Sequence, residues 1–212
     1  MQKDFSLILA NTNRSKYYFK KIKEKKLKID TLIFYSKTYN SSLINDLKKY
    51  PFIKKLIFFK SNKLEISKII KKIISIKSKY IIYSGYNAEI LKSSLVLKKK
   101  LIHCHPGLIP NYRGSTTIYH SLINEKKIFT TIFIMSKNID SGEILHVCKY
   151  KPPKNLRKIE NTFDHEIRSK SILDFLITKK KFKWDKKIKN RLYYIAHPVI
   201  RDLVVNTKRY VT

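Results

Sequence analysis

The chain has 212 residues and is 43% apolar, enough for one compact domain with a small extension and a core that needs neither disulfides nor metals. No apolar run reaches the roughly 18 residues of a membrane span, "MQKDFSLILANTN" turns polar too soon for a secretory signal, and two cysteines without a CxxC pair suit a reducing, cytoplasmic setting. The excess of 47 Lys+Arg over 15 Asp+Glu, net +32, fits a nucleic-acid or membrane-surface binder or compositional drift in a Lys-, Ile- and Asn-rich chain; dispersal of the lysines favours drift, and a polyanionic substrate is compatible with both.

In chain order, Phe5 to Ala10 ("FSLILA") has the length of a strand, "NTNRS" reads as a loop and "KYYFKKIKEKK" as a basic helix. "TLIFY" is the next strand, "SSLINDLKKY" a helix that stops before Pro51, and "KKLIFF" a strand. From Leu64 to Ile76 the apolar residues Ile66, Ile69, Ile70, Ile73 and Ile74 fall on one helical face, with Ser61 or Asn62 available as a cap. "YIIYSG" is a strand ending at Gly85, "AEILKSSL" a short helix and "KKLIHCH" a further strand. After a Pro/Gly loop come a helix from Thr116 to Asn124 and two strands, "FTTIFIMS" and "GEILHVCKY", joined by a turn through "KNIDSG". Pro152-Pro153 is a break, followed by a helix from about Thr162 to Ile177 with Phe163, Ile167, Leu173 and Leu176 near one face. The tail is basic and then amphipathic, able to fold back on the core or to build a homodimer interface. Strands alternating with helices imply an α/β fold, a mostly parallel sheet with helices on both faces, over residues 1–150, with a helix and basic extension over 151–212.

The four glycines, Gly85, Gly107, Gly114 and Gly142, all border expected strand ends, where backbone turns or closely approaches a ligand. In open α/β sheets ligands bind beyond the carboxyl ends of the strands, so three of these segments are expected to meet in one cleft. His103 and His105 flank Cys104 with strand spacing, so the two rings share a face and Cys104 points away, which argues against a nucleophilic cysteine. Neither His120, Asp140 nor His146 completes a standard zinc spacing with them, and no metal is expected.

"HCHPGLIPNYRGSTTIYHSLINEKK" followed by "TTIFIMSKNIDSGEIL" resembles the folate-dependent formyltransferase family, which includes methionyl-tRNA, glycinamide ribonucleotide and nucleotide-amino-sugar formyltransferases. The matching positions are His105, Leu108-Ile109-Pro110, Tyr112-Arg113-Gly114 and Asp140-Ser141-Gly142, and the resemblance runs from Phe5 to about Tyr150. It implies a Rossmann-like fold and transfer of a formyl group from 10-formyltetrahydrofolate to a primary amine. It further implies His105 as base or proton relay, Asp140 as its orienting carboxylate, and His103 as the donor to the developing oxyanion, at the position where the family carries Asn. "SGYNAEIL" resembles the folate-facing loop, so Gly85, Tyr86, Glu89, Ile90 and Leu91, with Ser141 and Gly142, are the expected folate-binding residues. Asn11, Asn13 and Arg14 after the first strand, and Pro106, Gly107, Tyr112 and Arg113 in the loop, are the expected acceptor-binding residues; packing for Tyr86 and loop bracing for Arg113 are the plain alternatives.

Of the acceptors, a nucleotide-linked amino sugar of polysaccharide biosynthesis comes first, because "HPG" and the small extension look like the sugar enzymes. Methionyl-tRNA is second, on the basic tail, and glycinamide ribonucleotide third, for want of a Gly-rich loop after the first strand. A catalytically degenerate module that binds polyanions is the reading outside enzymology.

Overall fold

The computed structural model describes residues 2–38, 42–64, 66–86, 91, 95, 98–178 and 192–207. The first apolar run forms β1 (Phe5–Ala10), fully buried along its length, as a central strand covered on both faces must be. Helix α1 (Asn13–Glu24) begins where the Thr12 hydroxyl accepts from the Ser15 amide, a cap that contributes on the order of 1 kcal/mol. Its buried residues Arg14, Ser15, Tyr18, Phe19 and Ile22 recur at helical spacing. The chain continues through β2 (Ile29–Ser36), α2 (Ser42–Lys49), β3 (Ile53–Lys60), α3 (Ser67–Ile74), β4 (Tyr80–Ser84) and β5 (Leu101–His105). Then follow β6 (Arg113–Gly114), α4 (Thr117–Glu125), β7 (Ile128–Ile134), β8 (Ile144–Tyr150), α5 (Asp164–Ile177), β9 (Leu192–Tyr193) and α6 (Pro198–Asn206).

Seven strands make one sheet in the order β3-β2-β1-β4-β5-β7-β8. The pairs β1/β2, β1/β4, β2/β3 and β4/β5 are parallel, and β7/β8 is an antiparallel hairpin. The mostly parallel α/β expectation is met. β3, at one edge, exposes Lys54, Lys55 and Lys60, charges that discourage pairing with another chain.

Two compact units divide the chain. The first, residues 1–103 with 176–178, is centred on Leu7, Ile8, Leu9, Leu32, Ile33 and Phe34, all fully buried; each such side chain contributes roughly 1.5–3 kcal/mol by leaving water. The second, residues 104–175 with 179–212, has a core of Ile118, Tyr119, Leu122, Ile128, Leu156, Ile159, Ile167 and Val204. Val204 lies on α6, so this end of the tail folds back onto its own unit, while Tyr194, Ile195, Val199 and Leu203 stay exposed. No helix among the described residues is long and apolar enough to cross a membrane.

Some boundaries differ from the sequence reading, each for a local reason. Helix α3 starts at Ser67 with Ile66 at its N-cap and no side-chain cap, and the Ser61 hydroxyl bonds instead within its own turn, to the carbonyl and amide of Lys63. Gly114 sits inside a two-residue strand, paired with Tyr193, instead of in a loop. On α5 the buried face carries Ile172 and Phe175 with Ile167 and Leu176, while Leu173 is half-buried. Most of the expected helix "AEILKSSL" lies outside the described residues.

Candidate active site

β5 ends in His105, and the loop after it encloses the imidazole, which is 2% exposed. Nε2 lies 2.7 Å from the Tyr112 carbonyl, a group that only accepts, so Nε2 carries the proton and donates. The Thr117 hydroxyl, which donates to the Pro106 carbonyl at 2.6 Å, stands 3.3 Å from the same nitrogen. Nδ1 is thereby left with its lone pair, facing Asp140 Oδ2 at 3.3 Å. Burial holds the His105 pKa below its ordinary 6.5, against the upward pulls of the Asp140 carboxylate and the Tyr112 carbonyl. The ring is therefore a neutral base with a fixed tautomer and a carboxylate waiting beside its free lone pair.

The β7–β8 turn delivers that carboxylate. Asp140 adopts φ +44°, a left-handed conformation that Asp tolerates better than most residues, and its Oδ2 also accepts from the Gly114 amide at 2.9 Å. Ser141 ties the turn with hydroxyl bonds to Ser136 and to the Asn138 carbonyl. Gly142 has φ +131°, and a Cβ there sits 2.0 Å from the Ile134 carbonyl oxygen, so only glycine closes this turn. On the loop side, the Thr131 hydroxyl donates to the Gly107 carbonyl at 2.6 Å and accepts from the Ile109 amide at 3.1 Å.

The remaining expected residues divide clearly. His103 is half-buried, with Nδ1 3.3 Å from the Tyr83 carbonyl, and strand alternation turns the fully buried Cys104 to the opposite face. Arg14 is buried, its guanidinium donating to the Ser84 hydroxyl and to the Gly85 carbonyl, so it braces the end of β4. Tyr86 packs edge-on against Tyr35, ring centroids 5.6 Å apart. Arg113 directs Nε and Nη2 to one acceptor, the Ile139 carbonyl, at 3.0 and 2.6 Å. Tyr112 is buried, stacks on Tyr193, and has its phenol pushed up to about 12 by burial, so it stays neutral. Asn11 is half-buried and Asn13 exposed at the start of α1; Pro106 lends its carbonyl to Thr117. Glu89 and Ile90 lie outside the described residues; Leu91 is buried.

Thr117 and Thr131 belong to no motif in the sequence, yet they build the site. Both are fully buried threonines whose hydroxyls bond to the His105 loop. Their only signal in the sequence is polarity at otherwise apolar positions of "TTIYH" and "FTTIF".

Among known proteins, the family model described as formyl transferase matches residues 7–167. The methionyl-tRNA formyltransferase of Campylobacter curvus is 28% identical over 122 residues, 55% of this chain and 40% of that protein. The bifunctional polymyxin resistance protein ArnA of Wigglesworthia glossinidia brevipalpis is 32% identical over 133 residues, 61% of this chain and 16% of that protein. The match thus spans less than half the length of either relative. Among solved structures, a sugar N-formyltransferase from a Shewanella species superposes with a TM-score of 0.58 at 19% identity, covering 90% of this chain and 76% of its own. A phosphoribosylglycinamide formyltransferase from Bacillus halodurans gives 0.56 at 13% identity, covering 84% and 97%. At these identities the likeness is one of fold.

Proposed function

The chain belongs to the formyl transferase family, and from that premise we propose that it moves a formyl group from 10-formyltetrahydrofolate to the primary amine of a nucleotide-linked amino sugar. The observation that carries the reading is the enclosed His105, with Nε2–H fixed on the Tyr112 carbonyl and Nδ1 open toward Asp140. That donor set fits the co-substrate's chemistry, because an amine attacks a formyl carbon only as the free base and must shed a proton as it bonds.

10-Formyltetrahydrofolate supplies the activated formyl carbonyl. Nδ1 of His105 takes the proton lost by the amine as the new carbon–nitrogen bond forms, and the imidazolium faces the Asp140 carboxylate, whose charge stabilises it. The proton then passes to N10 of the folate as the formyl carbon–N10 bond breaks and tetrahydrofolate leaves. Tyr112 keeps the ring from rotating, so the basic lone pair stays on one side. His103, two residues earlier on the same strand, is assigned the donor to the oxygen that gains negative charge; losing one donor of this kind costs roughly 3 to 4 kcal/mol of barrier. Gly85, Tyr86, Glu89, Ile90 and Leu91, with Ser141 and Gly142, are assigned to the folate. Asn11 and Asn13, at the start of α1, are assigned to a phosphate of the acceptor, since the first-turn amides of a helix attract anions. Arg14 and Arg113 serve through the loops they brace.

A second acceptor, methionyl-tRNA, is favoured by the net charge of +32 and by the resemblance to proteins of that name. Mass spectrometry after incubation with 10-formyltetrahydrofolate and a panel of acceptors separates the two. We expect formyl addition to an amino-sugar nucleotide, with little dependence on salt. Formylation confined to methionyl-tRNA, weakening steeply with salt, moves the acceptor to RNA. Formylation of nothing in the panel sinks both.

A further inference from the structure

A second cluster of titratable side chains lies apart from the His105 constellation. His146 and Cys148 are two residues apart on β8, so both project from one face of the sheet, and Asp174 reaches them from α5. His146 Nε2 is 2.6 Å from Asp174 Oδ2, and one donor atom from each of the three residues lies within 4.8 Å of the other two. His146 is buried, Cys148 half-buried and Asp174 exposed, so the cluster opens to solvent on the α5 side.

We propose that His146, Cys148 and Asp174 form a binding site for a zinc-class divalent cation, with three protein donors and one position left to water. Thiolate plus imidazole is the pair that selects zinc over magnesium or calcium, which prefer all-oxygen shells. An iron–sulfur cluster held by four cysteines needs twice as many as the two in this chain. Bond lengths of roughly 2.0–2.1 Å to a tetrahedral ion place nitrogen and oxygen donors about 3.3 Å apart. The present 2.6 Å His–Asp contact opens to that spacing by a small displacement of Asp174, the exposed member.

The surroundings hold the sulfur in place. Against the upward push of burial, the neighbouring His146, Ser171 and Tyr150 side chains hold the Cys148 pKa below its ordinary value, toward the thiolate that binds metal. The Ser171 hydroxyl in turn lies 2.6 Å from Thr130 Oγ1 and 2.9 Å from the Ile167 carbonyl, and the Tyr150 phenol is 2.7 Å from Ser171. Such outer partners orient ligands and tune affinity. Thiolate and carboxylate together bring two negative charges, which offset the ion's charge in a chain whose net +32 otherwise repels cations.

The test is titration of the purified, chelator-stripped chain with Co2+. We expect one equivalent to bind, with thiolate-to-cobalt charge-transfer absorption and tetrahedral d–d bands, and Zn2+ to displace it. Cys148→Ser removes the charge-transfer band and Cys104→Ser keeps it. His146→Ala and the surface substitution Asp174→Asn weaken binding by more than the roughly 10- to 100-fold that outer-sphere changes cost. Thermal melts confirm that each variant folds, and Asp174→Asn, at an exposed position, decides the matter should Cys148→Ser not fold. Absence of a charge-transfer band in the unaltered chain, its survival in Cys148→Ser, or unchanged affinity in Asp174→Asn overturns the site. Formyl transfer is not the readout, so this outcome is independent of the proposed reaction.

Discussion

Replacing His105 by asparagine is expected to lower kcat/KM for formyl transfer by roughly 100- to 10,000-fold, the range that positioned proton transfer supplies. The shorter asparagine places its amide near the position of Nδ1, so it offers no basic nitrogen toward Asp140 and leaves the Tyr112 carbonyl without the donor that Nε2 supplied. The rate loss is one of chemistry, and a denaturation midpoint measures any accompanying loss of stability separately. Asp140→Asn removes the charge that stabilises the imidazolium; asparagine tolerates the left-handed turn and keeps an acceptor for the Gly114 amide, so its loss is smaller. The His105→Asn variant has a second readout in stability. Because burial depresses the folded pKa of His105 below 6.5, the unfolded chain binds a proton that the folded chain refuses. The contribution is intact above the unfolded pKa and is lost as pH falls from about 6.5 toward the folded value. Urea midpoints at neutral and mildly acidic pH should converge less in the parent than in the variant, whose acid loss is shallower. Full transfer activity in both His105→Asn and Asp140→Asn, or an unchanged acid slope, contradicts the assignment.

Gly107→Ala is the second large effect. The φ of Gly107 lies outside the left-handed range, so the cost is space and not conformation. A Cβ at this position comes 2.7 Å from His105 Nε2, 2.7 Å from the Tyr112 carbonyl oxygen and 2.8 Å from the Thr117 hydroxyl. These are the atoms that fix the His105 tautomer, and none is the free end of a flexible side chain. Something must yield, either the Nε2–H bond or the loop that Thr131 clamps through the Gly107 carbonyl. A misplacement of about 1 Å at a reacting group costs on the order of 100-fold in rate, and overpacking typically costs roughly 1–3 kcal/mol of stability. Steady-state kinetics and a denaturation midpoint measure the two separately. An alanine variant with parent-like kinetics sinks the claim that this close approach positions the histidine.

Much of this was legible in the sequence, for reasons that differ element by element. "FSLILA" reads as β1 to the residue because a doubly covered strand is a short apolar run, here bounded by Asp4 before it and the polar "NTNRS" after it. The His105–Asp140 pairing follows from motif order. Its orienting bond was not readable, because the Tyr112 carbonyl and the Gly114 amide are backbone groups without a side-chain signature. The pairing of β6 with β9 was hidden for another reason: two residues are too few for a period, and their partners lie far along the chain. Arg14 and Arg113 show what a sequence leaves open: a cation near an expected anion site suits either a ligand or the protein's own loops, and here each guanidinium donates to a backbone carbonyl. The Cys148 cluster escaped the sequence because Asp174 reaches it only through packing of α5 on β8.

The most direct test of the central claim, that this chain uses a reduced folate, is calorimetric titration with 5-formyltetrahydrofolate at low and high salt. The account predicts affinity on the order of micromolar, held at both salt concentrations because a shaped pocket and not the +32 surface makes the contact. Absence of binding at either concentration, or binding that vanishes when salt is raised, contradicts it.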